Sequence, residues 1–182
     1  MPKYIRTVSG TKFRTKPGIE DFNLTDIAHG LAIAPRWGAQ SKWRYPVAAH
    51  VIYVAHMLPN FFKFDGLMHD TSEAYFCDLP SPFKWAMPEY KAIEHGIMQA
   101  ASRAFNFCWP PPPLVKLADA IALQNEHLAF FGNEFLDDVP RIDVPAELEV
   151  PTDWDFSAWE NMPVALIKHT FVNHFNEYRQ LM

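Results

Sequence analysis

The chain has 182 residues, with 16 Lys or Arg against 21 Asp or Glu and a formal charge of −5. That length suits one domain spanning 1–182 that can bury a real core, and the acidic balance argues against a protein that coats a nucleic acid polymer through a broad basic face, though not against a small anionic ligand. Apolar residues make up 49% and aromatics 15%, so the core is expected to lean on Phe and Trp. The N-terminal stretch lacks the apolar core of a signal peptide, and no apolar run reaches bilayer length. Two cysteines, Cys77 and Cys108, outside any CxxC pattern, suit reduced thiols. Together these features predict a cytoplasmic protein with no membrane partner.

Residues 4–15 alternate in polarity around Ser9-Gly10 and predict a small hairpin. The helical period then takes over. Leu24, Ile27, Ala28 and Leu31 form one stripe, with Asn23 or Thr25 as N-cap and Pro35 as stop. Pro46 suits the first turn of a second helix carrying Val47, Val51, Val54, Ala55 and Leu58 up to Pro59. A third helix is expected from Phe61 to Phe76, followed by a rigid turn at Leu79 to Pro82. A fourth opens at Pro88, with Ile93, Ile97, Ala101 and Ala104 on one side. Pro110 to Pro113 read as a stiff linker, and a fifth helix runs from Leu114 to Phe131 with Gly132 as its C′ residue. Residues 132–156, acidic and with three prolines, read as a long loop. The last helix starts either at Ser157, where Ser157 and Glu160 match a capping box, or at Pro163. The fold class is all-α with a small N-terminal β-hairpin.

The chemistry centres on His69-Asp70. The pair alone is a weak signal, since shuffling this composition yields roughly one such pair in every two chains. Its setting is more telling, because GLMHD at 66–70 puts two polar side chains in an apolar helical stretch where they need partners. His50 lies on the preceding helix, and Asp119 sits in another apolar run, VKLADA at 115–120. Two imidazoles and two carboxylates can converge from three helices on one transition ion, zinc before cobalt or manganese, leaving positions for water and a phosphate oxygen. Glu73 follows at i+3 and i+4 from Asp70 and His69, placed to orient water or act as acid or base. Asp78, Lys84, Arg36 and Trp37 offer a carboxylate, two phosphate-binding cations and an aromatic plane. The charged residues have bland alternatives: an exposed ion pair for Glu73, an Asx cap for Asp78, solvated cations for Arg36 and Lys84.

The runs YPVAAH at 45–50, GLMHDTSEAYFCDLPSPFK at 66–84 and VKLAD at 115–119 together resemble the HD-domain deoxynucleotide phosphohydrolases. The nearest branches are the YfbR-type 5′-deoxynucleotidases and the short phage DatZ-type dATP triphosphohydrolases; DIAHGL at 26–31 and Pro35-Arg36-Trp37 look like the phage branch. The resemblance covers about residues 4–131 and implies an HD-type helical bundle. It matches His50, His69, Asp70 and Asp119 to metal ligands, and Arg36 and Lys84 to phosphate-holding residues. Glu73 and Asp78 match the catalytic acidic pair, and Trp37 matches an aromatic that crowds the sugar 2′ position. The implied activity is removal of phosphate from deoxynucleotides, foremost dATP and also dADP or dAMP, with further Mg or Co on the substrate phosphates and a homo-oligomeric dimer or hexamer. A broad 5′-deoxynucleotidase acting on dNMPs is the alternative. A non-catalytic nucleotide-binding module ranks lowest, because Glu73, Asp78 and Lys84 are all present. No Gly-Tyr-Pro motif accompanies the pair, which disfavours cyclic dinucleotide hydrolysis.

Overall fold

The computed structural model describes residues 3–133 and 141–182. A two-stranded antiparallel hairpin, β1 (Ile5–Arg6) and β2 (Lys12–Phe13), opens the chain. Helices make up most of the rest: α1 (Leu24–Ile33), α2 (Val47–Met57), α3 (Asn60–Met68), α4 (Glu73–Phe76), α5 (Ser81–Ala86), α6 (Pro88–Phe105), α7 (Pro113–Phe131) and α8 (Val164–Arg179). No helix among the described residues is long and apolar enough to cross a membrane. Of the acidic stretch read as a loop at 132–156, residues 134–140 lie outside the described residues, and 141–155 contains neither helix nor strand.

The architecture follows from α2. Every residue from Val47 to Met57 except His56 is buried, and a helix apolar on all sides must run through the centre of a bundle. It packs against α1, α3, α7 and α8. Gly66 lets α3 cross α2 closely, since a Cβ there would lie 2.4 Å from Leu58 Cδ1 and 3.2 Å from Ala55 Cα. Aromatic side chains fill the joints: Phe130 contacts Trp43, Tyr45 and Phe156 edge-on or tilted, with centroids 5.2–5.9 Å away.

Two expectations need correction. The single helix expected over 61–76 breaks after Met68, because side chains capture the carbonyls that would continue it. His69 Nδ1 lies 2.6 Å from Gly66 O, and Thr71 Oγ1 donates to Met68 O at 2.7 Å. The amide of Ser72 turns instead toward Met98 Sδ at 3.3 Å. The rigid turn at Leu79–Pro82 opens the short helix α5, in which Pro82 sits in the first turn, where a missing N–H costs nothing. The last helix takes the Pro163 start. Before it, Phe156–Trp159 form a 3₁₀ turn capped by Asp155, whose Oδ1 accepts from Ser157 N at 2.8 Å.

Two measurements test this packing. A Cβ on Gly30 would lie 2.0 Å from the backbone oxygen of Ala74, so Gly30→Ala must push α1 and α4 apart. Denaturant unfolding should show a loss of about 3 kcal/mol. The second concerns His56 and His174, whose rings lie 5.1 Å apart and whose Nε2 and Nδ1 respectively are buried without hydrogen-bond partners. For His56, burial, then His174 and Lys63, lower the pKa against the pull of Glu177 and Asp153; burial also lowers that of His174. The folded state therefore takes up fewer protons than the unfolded chain once pH falls below about 6.5. This contribution to stability is level above that pH and declines below it. The Tm drop from pH 7.5 to 5 should be smaller in His56→Gln than in the parent protein.

Candidate metal centre

His50 stands one turn into α2, held by the entry geometry of that helix. Arg36 N donates to Tyr45 O and Val47 N to Ala34 O, both at 2.9 Å, so residues 35–46 form a loop clamped at its base. Within it, Trp37, Gly38 and Ala39 all have positive φ (59°, 57° and 63°). This uncommon run of left-handed residues points Trp37 N at Asp78 Oδ2, 3.1 Å away. Gly38 eases this turn, since a Cβ there would lie 3.1 Å from Pro80 Cγ at a φ that side chains rarely adopt. His69 and Asp70 sit in the break after α3, Glu73 opens α4, and Asp78 follows Cys77, itself at φ 69°. Asp119 projects from α7.

These elements bring all nine residues singled out from the sequence into one cluster. His50 Nε2 lies 3.1 Å from Asp119 Oδ1 and 3.6 Å from Asp70 Oδ2. His69 Nε2 lies 3.8 Å and 3.3 Å from the same two oxygens. Arg36 reaches Asp70 at 3.9 Å and Asp78 at 3.7 Å, and Lys84 Nζ lies 3.7 Å from Glu73 Oε1. Arg36 and Glu73 are buried, so the solvated readings of both fall away. Two further members had not been singled out. Glu126, with no solvent exposure, accepts from His50 Nδ1 at 2.7 Å and Trp37 Nε1 at 3.2 Å and lies 3.5 Å from Arg36. Glu94 binds Lys84 at 2.8 Å. Glu126 had a signal: it follows Asp119 by seven residues, two helical turns along the same face. Glu94 had none, because its approach to Lys84 depends on the angle between α5 and α6.

The donor set fits a metal ion. Nε2 of both His50 and His69 is buried with no hydrogen-bond partner, while the other nitrogen of each ring is engaged, with Glu126 and with Gly66 O. Ring nitrogens fixed on one side and bare on the other are the usual preparation of metal-binding imidazoles. One atom each from His50, His69 and Asp119 lie within 4.8 Å of one another. Bonds of about 2.1 Å at tetrahedral angles separate ligand atoms by about 3.4 Å, in the middle of the observed separations. Asp119 keeps 42% side-chain exposure, so the cluster is open on one side.

The electrostatics point the same way. Burial opposes charge on His69, but Asp70 and Asp119 outweigh it and hold its pKa well above normal. For His50, burial and Arg36 oppose the proton, and Glu126 and Asp119 prevail. Asp70 and Asp119 are held low despite burial, by the two imidazoles. The field that retains protons on these imidazoles is the field that attracts a divalent cation, which would displace those protons on binding. Glu73 differs. Burial, with Asp70 and Asp78, drives its pKa well up against Arg36 and Lys84, and its Oε2 has no partner.

The Glu126 contact is testable by metal titration. Glu126→Gln keeps the shape but removes the charge that orients and enriches His50. Competition with a chromogenic chelator should show metal affinity falling tenfold to a hundredfold; an unchanged affinity would remove Glu126 from the centre.

No protein-family model matches the chain. An uncharacterized protein of Escherichia coli K12, YfdR, is 35% identical over 127 residues, which cover 68% of this chain and 70% of YfdR. An uncharacterized protein of Rhodobacter capsulatus is 28% identical over 128 residues, covering 62% of this chain and 65% of that protein. Neither name assigns an activity. At 35% identity over more than two thirds of both chains, this protein belongs to the same family as YfdR.

Proposed function

We propose that the chain is a metal-dependent phosphohydrolase of the HD type that releases a deoxynucleoside from a 5′-deoxynucleotide, dATP foremost. The observation that carries this reading is the pair of bare, buried Nε2 atoms of His50 and His69 facing Asp70 and Asp119 across 3.1–3.8 Å. In this reading Asp70 completes the ligand set of His50, His69 and Asp119. An ion there, zinc before cobalt or manganese, would lower the pKa of water toward neutrality and draw electron density off the phosphoryl group.

The remaining steps belong to the side chains. Arg36, its charge maintained against burial by Glu126, Asp78, Glu73 and Asp70, grips two non-bridging oxygens through its planar fork. Lys84 leaves Glu94 and Glu73 to meet a third oxygen. Water adds to the phosphorus that bears O5′ while the P–O5′ bond breaks. Glu73, whose pKa burial raises well above normal, serves as the acid that delivers a proton to O5′. Trp37 is fixed at both ends, by its amide to Asp78 and its Nε1 to Glu126. Its rigid ring stands against C2′ and leaves no room for a ribose hydroxyl.

A second reading, hydrolysis of dNMPs, has one observation in its favour. Arg36 and Lys84 are the permanent cations that face the centre, and both are already paired with carboxylates. Two cations balance a monophosphate more readily than a triphosphate. Both readings break the same bond.

A release assay over dNMPs, dNTPs and their ribose counterparts with several divalent metals tests the proposal. Deoxynucleoside should appear with phosphate from dAMP or with triphosphate from dATP. Asp119→Ala should lose both bound metal and turnover. Trp37→Ala should narrow the preference for deoxyribose, and Arg36→Lys should stay impaired because Lys lacks the fork. A metal-loaded protein that turns over none of these substrates overturns the reading.

A further inference from the structure

The N-terminal hairpin is a basic element on an acidic protein. The first nineteen residues carry five Lys or Arg and no Asp or Glu, in a chain of net charge −5. Two of these cations are engaged locally. Arg6 donates to Gly10 O and lies 6.0 Å over the Tyr4 ring, and Lys12 Nζ lies 5.3 Å over the same ring. Lys3 and Arg14 face a cavity, and among the described residues neither belongs to an ion pair.

That cavity lies between the hairpin, α4 and α6 and has a volume of about 580 Å³, within the range of sites for small molecules. Its walls are aromatic and aliphatic. Phe13 and Tyr75 stack with centroids 3.7 Å apart and planes 3° from parallel, and Phe76 meets Tyr90 edge-on at 5.2 Å. Ile97 is buried among its lining residues, whereas Ile5 and Ile93 line it with 50% and 39% exposure. None of the residues of the metal centre lines it. The two are nonetheless close in the chain: α4 presents Glu73 to the centre and Phe76 to the cavity, and Tyr90 OH donates to Cys77 O at 3.4 Å.

We propose that this cavity is a second ligand site, separate from the metal centre, for a small aromatic anion of about nucleotide size. The rings and isoleucines bury the planar body, where offset and edge-on contacts add to area burial. Lys3 and Arg14 neutralise the anionic group at the mouth. A cation of the same shape is repelled, which sets this site apart from a general apolar cleft.

Naphthalene-1-sulfonate is the probe and naphthalene-1-methylammonium its charge-reversed control, both followed by titration calorimetry on the full chain. The sulfonate should bind saturably at one site per chain, and the ammonium at least tenfold more weakly. Arg14→Glu should weaken sulfonate binding tenfold or more, and Ile93→Trp, which fills the mouth, should do the same. Both positions are exposed, so circular dichroism should stay unchanged. Lys116→Glu, the same charge reversal on an exposed position of α7, should leave binding as it was. The proposal is overturned by absence of saturable binding at millimolar sulfonate, by equal binding of the ammonium, or by binding that survives both cavity substitutions. It is overturned as well if Arg36→Ala abolishes binding while Arg14→Glu does not, since the anion then sits in the phosphate pocket. These outcomes do not depend on hydrolysis, so loss of the phosphohydrolase reading leaves this one standing, and the reverse.

Discussion

The hydrogen bond between His50 Nδ1 and Glu126 Oε1, 2.7 Å long, joins two side chains with no solvent exposure. Both lie on helices that form the centre of the bundle, α2 and α7. A buried carboxylate without partners is costly, so Glu126 must be saturated, and His50, Trp37 Nε1 and Arg36 do so together. Each partner is thereby fixed. His50 turns its other nitrogen outward, Trp37 is anchored at its far edge, and Arg36 is held among the carboxylates. A single buried charge thus couples packing of the bundle to orientation of the His50 imidazole and of the two residues proposed to hold the substrate.

The cluster is unbalanced in charge as it stands. Asp70, Glu73, Asp78, Asp119 and Glu126 face two permanent cations, Arg36 and Lys84. Burial, with Asp70 and Asp78, raises the pKa of Glu73, and the surrounding carboxylates raise those of both imidazoles against burial. A divalent ion is the other solution, and the Nε2 atoms of His50 and His69 with the carboxylate of Asp119 are grouped closely enough to hold one. Backbone strain is placed around the same point. Trp37, Ala39 and Cys77 all take positive φ without being glycine, conformations that persist only where surrounding contacts impose them. Here the contact is Trp37 N to Asp78 Oδ2, which ties the clamped loop to the end of α4.

The same geometry separates two regions with different chemistry. The candidate metal centre is polar, partly open through Asp119 and short of positive charge. The cavity beneath the hairpin is apolar, aromatic and bordered by the basic end of the chain. The four-residue helix α4 carries both Glu73, at the centre, and Phe76, on the cavity lining.

Much of this was legible in the sequence. The helical apolar period marked α1, α2 and α7 close to their observed limits and the start of α6, because buried faces must repeat with the helix, and the alternation at 4–15 marked the hairpin. His69, Asp70 and Asp119 could be named because polar side chains in apolar runs require partners, and Glu73 by its helical spacing from the first two, whereas His50, Arg36, Trp37, Asp78 and Lys84 were named by their places on neighbouring helices and turns and by the family resemblance. The chain order did not reveal where side chains outcompete the backbone. The break after Met68 depends on His69 reaching Gly66 O and Thr71 reaching Met68 O, local contacts that give the 61–76 segment a turn where its composition favoured a helix. Nor did it reveal the partner of Lys84, since Glu94 arrives through the angle between two helices. Sequence determined which residues must be buried and which types could serve a metal. Only the tertiary structure decided how buried charges pair, because a desolvated charge chooses its partner by distance and orientation in space and not by separation along the chain.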